Sequence, residues 1–150
     1  MKKILGVLFF LIAFVSNAQS IDYYTKKGFA VEGYDVVSYF DGTPKKGSKS
    51  ITSEHDGVKF SFSSKANLER FKADPEKYIP EYGGYCAYAV AVKGKKVKID
   101  PETYEIRDDK LYLFYNAWGT NTLELWTKEG AEKLKTDADK KWEKIKKRKS

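Results

Sequence analysis

The residue best suited to chemistry in this 150-residue chain is its single cysteine, Cys86, which lies just after Gly83 and Gly84. The glycines permit a tight backbone approach or a positive φ angle before the thiol. If residues 85–92 form a short helix, its dipole and first amides favour a reactive or metal-binding thiolate at Cys86. A strand would remove the dipole effect. A buried structural thiol and a thiol that forms an intermolecular disulfide are the other two interpretations.

Other polar and aromatic residues could complete a ligand site around this thiol. The tyrosines could form an aromatic wall, although aromatic clusters belong more often to the core. Asp35 could cap a short helix over Val36–Phe40, or it could place a carboxylate near the thiol. The candidate ligand-binding residues are Tyr34, Asp35, Tyr82, Tyr85 and Tyr88.

The candidate metal ligands are Cys86 and His55, the only histidine. One imidazole excludes a multi-histidine site. His55 precedes Asp56 and Gly57 in a predicted turn, where a histidine is usually solvated, although a Cys86–His55 pair could activate a thiolate. The chain has no glycine-rich phosphate loop, Ser-His-Asp set or paired-carboxylate motif. Whether the protein is an enzyme therefore stays open.

The first 18 residues have the pattern of a cleavable signal peptide. Lys2 and Lys3 precede an apolar run from Ile4 to Val15, and Ser16-Asn17-Ala18 provides small residues for cleavage. The run is shorter than the roughly 20 apolar residues of a membrane anchor. We expect a mature protein that begins near Gln19, has no transmembrane anchor and is periplasmic or secreted.

The charge distribution argues against a nucleic-acid partner. The chain has 28 basic and 21 acidic residues, a net charge of +7, and the basic excess of the mature part lies after Trp126. Nucleic-acid binding concentrates positive charge on a binding face rather than on a tail. One cysteine also excludes an internal disulfide framework, so packing must hold the fold.

The hydrophobic pattern predicts an α+β fold, with a small antiparallel sheet, short flanking helices and a C-terminal amphipathic helix. Residues 51–54 with 58–63, and 103–106 with 110–115, are predicted hairpins. A short helix begins after Ser63 and Ser64 and ends before Pro75. Near the C-terminus, apolar residues at spacings of three and four predict one helix over about residues 128–147, packed on the body. The expected organisation is a signal peptide (1–18), a domain (19–126) and a basic C-terminal helix (127–150).

The stretch from Phe62 to Tyr78, FSSKANLERFKADPEKY, resembles the core of the YHS domain. The segments VEGYDVVSYF (31–40), YGGYCA (82–87) and KLYL (110–113) resemble an exported branch of that family. Members of this branch are called YHS domain-containing proteins, or selenoproteins where selenocysteine replaces the GGYCA cysteine. The resemblance extends from about Phe29 to Trp142, and it implies that the chalcogen at Cys86 is used.

One departure from the family pattern affects function. In metal-handling relatives two cysteines of a Cys-Ser-x-x-Cys pattern bind the metal, and here Ser63 and Asn67 take their places. A hydroxyl and an amide are poor substitutes for thiolates. The leading hypothesis is therefore a cell-envelope binding or redox module centred on Cys86, which holds a soft metal ion such as copper(I) or a small ligand. The alternatives are a one-cysteine thiol oxidoreductase and a structural adaptor for an envelope protein.

Overall fold

A computed structural model describes residues 20–150, so the predicted signal peptide and its cleavage site lie outside the described residues. The first sheet contains four strands, β1 (Thr25–Lys26), β2 (Phe29–Ala30), β3 (Ser48–His55) and β4 (Val58–Phe62). Their order in the sheet is β1-β2-β4-β3. The β2–β4 pair is parallel, and the other two pairs are antiparallel.

The first predicted hairpin is confirmed as β3 and β4. Asp56 and Gly57 form its two-residue turn, with φ angles of 51° and 76°. Two consecutive positive φ angles match the twist of the flanking strands, which is why Asp-Gly is favoured in such turns. Phe60 and Phe62 of β4 are buried, as their alternation with polar residues predicts.

Two short helices follow β4. Helix α1 (Lys65–Ala73) begins after Ser64, whose hydroxyl accepts the backbone N–H of Asn67 at 3.1 Å. This N-cap is one of the two that the sequence offered. Pro75 opens α2 (Pro75–Tyr78), because a missing N–H costs nothing in the first turn of a helix.

The second predicted hairpin is confirmed as β5 (Asp100–Arg107) and β6 (Lys110–Phe114). Strand β6 lies between two hydrophobic clusters, so both of its faces are buried. Leu111 and Leu113 pack in the first cluster, with Cys86. Tyr112 and Phe114 pack in the second, with the C-terminal helices. A small hairpin follows, formed by β7 (Asn116–Ala117) and β8 (Thr120–Asn121).

The predicted C-terminal amphipathic helix is confirmed, although it begins at Ala131 rather than near residue 128 and a separate short helix precedes it. Helix α4 (Thr122–Glu129) ends at Gly130, where α5 (Ala131–Ile145) begins. Gly130 has φ of 105°, which side-chain-bearing residues rarely adopt, so it breaks the helix. The predicted domain boundary at residues 126/127 falls within α4. Helix α5 buries the predicted stripe at Ala131, Leu134, Ala138 and Trp142, and it packs against α3 (Ala87–Lys93).

The α+β class, with short helices and a C-terminal amphipathic helix, is thus confirmed. Between residues 20 and 150 no helix has both the length and the apolar character required to cross a membrane.

Candidate functional site

Among the predicted site residues, Asp35 has the most extensive set of polar contacts. Its side chain is fully buried. Oδ1 accepts the backbone N–H of Val37 at 2.9 Å, just before a 3₁₀ helix that spans Ser38–Asp41. Oδ2 accepts the backbone N–H of Ser63 at 2.9 Å, the Ser63 hydroxyl at 2.7 Å and the Asn67 amide at 2.8 Å. Asp35 therefore joins its own turn to the end of β4 and the first turn of α1.

This polar centre extends to the surface through Arg70. The Asn67 side-chain oxygen accepts from Arg70 at 3.2 Å. The same guanidinium donates two hydrogen bonds to Asp41, at 2.8 and 3.0 Å. The chain of contacts fixes the orientation of the Asn67 amide, with its nitrogen toward Asp35 and its oxygen toward Arg70.

Cys86 lies at the N-cap of α3, so the helical alternative is the one the structure contains. Its side chain is 0% exposed. The sulfur lies 3.3 Å from Oγ1 of Thr122, a residue that the sequence analysis missed. The Thr122 hydroxyl donates to the Tyr115 carbonyl at 2.7 Å, so its oxygen is left to accept from the thiol. Solvent does not reach the thiol in this arrangement.

The GGYCA glycines have the close backbone contact that the sequence predicted. Tyr82, Gly83 and Gly84 all have positive φ angles. A Cβ atom on Gly83 would lie 2.6 Å from the Asp22 carbonyl oxygen and 3.1 Å from the Trp142 ring. Gly83 therefore lets the N-terminal segment and α5 meet over this turn.

The predicted aromatic wall around Cys86 is divided between the two clusters. Tyr82 and Tyr85 pack in the second cluster, whereas Cys86 belongs to the first. The Tyr82 hydroxyl donates to Asp139 at 2.8 Å, and burial and this carboxylate raise its pKa. The Tyr85 hydroxyl donates to Asp22 at 2.8 Å. Burial, with a smaller contribution from Asp22, raises the pKa of Tyr85 to about 12, against the lowering effect of its hydrogen bond with Ser150.

Tyr88 and His55 each contact a carboxylate at the surface. The Tyr88 hydroxyl donates to Glu129 at 2.8 Å, and its ring is half-buried against both clusters. Burial, followed by Glu129, raises the pKa of Tyr88. His55 ends β3, with its Nε2 3.2 Å from Glu76 and its ring edge-on to Phe71. His55 and Cys86 thus have different polar partners.

Tyr34 is the predicted site residue that lines an open cleft. This cleft has a volume of about 540 Å³ and lies between the β1–β2 turn, residues 32–34, residues 46–49 and the start of β5. Tyr34 and Lys46, both lining residues, are paired by their backbones in an isolated β-bridge. Its hydroxyl donates to Glu102 at 3.5 Å, and burial, followed by this carboxylate, raises its pKa. The sequence analysis did not identify the lysines of this cleft, because they come from two segments, the β1–β2 turn and residues 46–49, that are far apart in the chain.

A second group that the sequence did not reveal joins the two ends of the described chain. Asp22 and Lys96 form a buried ion pair at 2.9 Å. Burial raises the pKa of Asp22, but hydrogen bonds from Lys96 and Tyr85 outweigh this effect and leave the pKa below its ordinary value. The Lys96 ammonium also lies 5.5 Å from the Tyr85 ring and 5.6 Å from the Trp142 ring. The group anchors α5 to the N-terminal segment.

The structure thus defines a small α+β domain with a buried carboxylate centre, a buried thiol and an open cleft. Residues 36–82 match the YHS domain family, so a YHS domain is present in this chain. No curated protein and no solved structure matches the chain.

The residues at the YHS cysteine positions do not fit a soft metal ion. Ser63 and Asn67 both donate to Asp35, and neither supplies a thiolate. Within residues 20–150 no group of three or more His, Cys, Asp or Glu side chains could hold a metal ion. Cys86 offers a single sulfur, which is buried beside Thr122.

Proposed function

We propose that this protein is an exported small-ligand binding module of the cell envelope, and that its ligand site is the cleft beside Tyr34. The observation that carries the proposal is the contrast between an open cleft of about 540 Å³ and a thiol with 0% exposure. Small-molecule sites are typically clefts of about 300–1,000 Å³ with a few oriented polar groups. The cleft has this size, and Tyr34 was a candidate ligand residue on sequence grounds.

Export and membership of the exported YHS branch are parts of the same proposal. They are supported by the leader pattern in residues 1–18 and by the resemblance from about Phe29 to Trp142. Intact-mass measurement of protein from an envelope fraction is expected to show a chain that starts at or near Gln19. Retention of Met1 would refute cleavage.

The backbone at the cleft wall also supports a functional role. Val31, Glu32 and Gly33 have consecutive positive φ angles of 50°, 53° and 82°. A positive φ at a β-branched residue such as Val31 is rare and costs about 1–3 kcal/mol. Such strain persists where the surrounding structure imposes it, and it is concentrated at functional sites. Here it orients Glu32, Gly33 and Tyr34 along the cleft.

A fragment screen followed by amide NMR shifts tests the proposed site. Bound fragments are expected to shift the amides of residues 26–34 and 46–49. Tyr34→Ala should abolish these shifts. Tyr88→Ala is the matched control, because Tyr88 is also a half-buried tyrosine that donates to a glutamate. Fragments that bind equally well to both variants, or only around residues 85–97, would contradict the proposed site.

The thiol alternatives predict a different result and are tested by alkylation. Because Cys86 is fully buried, iodoacetamide should react slowly with the folded protein and fast in denaturant. Fast alkylation of the folded protein would favour the thiol oxidoreductase. Slow alkylation together with an empty cleft in the fragment screen would leave the structural adaptor.

A further inference from the structure

The charges of the cleft beside Tyr34 indicate which class of ligand it accepts. Four lysines line the cleft, against two acidic side chains, Glu32 and Asp100. The lysines are Lys26, Lys27, Lys46 and Lys49. The cleft therefore has a local excess of positive charge, although the body of the chain that contains it is neutral.

Both acidic residues already have partners within the protein. Glu32 forms an ion pair with Lys26 at 2.6 Å. The Asp100 carboxylate accepts the backbone N–H of Glu102 at 3.0 Å and the Thr103 hydroxyl at 2.8 Å, which closes a local turn at the start of β5. These carboxylates are thus engaged, and neither forms an ion pair with another lysine of the cleft.

The other three lysines are not neutralised in this way. Lys27, Lys46 and Lys49 form no ion pair within the described part of the chain, residues 20–150. Lys27 lies at the tip of the β1–β2 turn, Lys46 is bridged to Tyr34, and Lys49 is in β3. Two segments of the cleft, the β1–β2 turn and residues 46–49, therefore contribute three lysines without ion pairs to its lining.

Besides the charged residues, the lining contains three rings, two glycines and Ser61. Phe29, Tyr34 and Pro101 contribute rings to the cleft. Gly47, another lining residue, must remain without a side chain, because a Cβ atom there would lie 2.5 Å from the Ser61 backbone. Aromatic and proline rings offer a surface for a planar apolar group, and the lysines offer the site for a charge.

We infer that the cleft binds a small organic anion, with its negative group at Lys27, Lys46 and Lys49 and its ring against Tyr34 and Phe29. This inference rests on the proposed function, since it names the ligand class of the same site. It requires no metal and no chemistry at Cys86. Because the ammonium groups are exposed to solvent, binding should weaken as salt increases.

Titrations with phenyl phosphate, phenol and inorganic phosphate, followed by amide NMR, test the inference. Phenyl phosphate should shift the amides of residues 26–34 and 46–49, and it should bind about tenfold or more tightly than either single-feature probe. The triple variant K27Q/K46Q/K49Q should weaken its binding by about tenfold or more. The triple variant K65Q/K72Q/K128Q, which removes the same charge from exposed positions outside the cleft, should bind like the parent protein.

The outcomes separate the inference from the proposed function. If phenol binds the cleft as tightly as phenyl phosphate, or if the two triple variants bind alike, the anion inference is overturned and the ligand cleft stands. If inorganic phosphate binds as tightly as phenyl phosphate, the ring part of the inference is overturned. If none of the probes shifts the cleft amides, the anion inference is overturned, and the fragment screen decides whether the cleft binds another small ligand.

Discussion

Replacement of Asp35 by alanine would test whether Asp35, Ser63 and Asn67 form a structural cluster. The substitution removes four accepted hydrogen bonds at once. Val37, one of the donors, is fully buried, so its backbone N–H loses its partner away from the protein surface. The Ser63 hydroxyl belongs to an exposed residue and can turn to solvent.

The expected cost follows from these differences in burial. A hydrogen bond to a charged group contributes about 1.5–3 kcal/mol, and a buried donor without a partner costs about 1–3 kcal/mol. Because the bonds share one carboxylate, their contributions are not additive. We expect Asp35→Ala to reduce the free energy of unfolding by about 3–5 kcal/mol, the sum of one lost charge-assisted hydrogen bond and one buried donor left without a partner.

Urea unfolding followed by circular dichroism measures this change, with Asp41→Ala as the control. Asp41 also contacts the Arg70 end of the cluster, but its ion pair is exposed and should be worth about 1 kcal/mol or less. Asp35→Asn should give an intermediate loss of unfolding free energy. The asparagine amide keeps one acceptor oxygen, but its NH2 group would face the N–H and O–H groups that donate to Asp35. An Asp35→Ala loss no larger than that of Asp41→Ala would refute the structural role of this carboxylate.

Two further changes test how α5 is held. Trp142→Ala should cost about 3–5 kcal/mol, because the buried ring packs on Tyr82 and Tyr85, with centroids 6.2 and 6.4 Å away. Trp118→Ala is its control: that ring is 93% exposed, so thermal melts should show a change of about 0.5 kcal/mol or less. A small loss for Trp142→Ala would mean that α5 is not anchored by this residue. The pKa of Asp22 in the folded protein lies below its ordinary value of 3.8. The ionised Asp22 therefore stabilises the folded protein above pH 3.8, and this stabilisation is lost as the pH falls through the folded-state pKa. Urea midpoints should therefore fall more between about pH 5 and pH 3 in the parent protein than in Asp22→Asn. An equal fall of the urea midpoint in the parent protein and in Asp22→Asn would show that Asp22 does not contribute to the pH dependence of stability.

The sequence alone determined the elements whose signals are local. The Asp56-Gly57 turn, the Ser64 cap and the Pro75 helix start follow from the backbone preferences of one or two residues. These preferences do not depend on distant parts of the chain. Strand alternation likewise placed Phe60 and Phe62 in the core before any tertiary contact was known.

The tertiary structure decided which of these elements meet, and so which residues form a site. Asp35 contacts Ser63 and Asn67 across 28 and 32 residues of sequence, and the pattern of residue types contained no signal for that contact. The same limit applies to the contact of Cys86 with Thr122, which lies 36 residues away in the sequence. The cleft lysines come from separate segments, so their shared charge exists only once the strands are paired. Local propensity is fixed by neighbouring residues, whereas burial and electrostatic environment depend on packing between segments far apart in the chain.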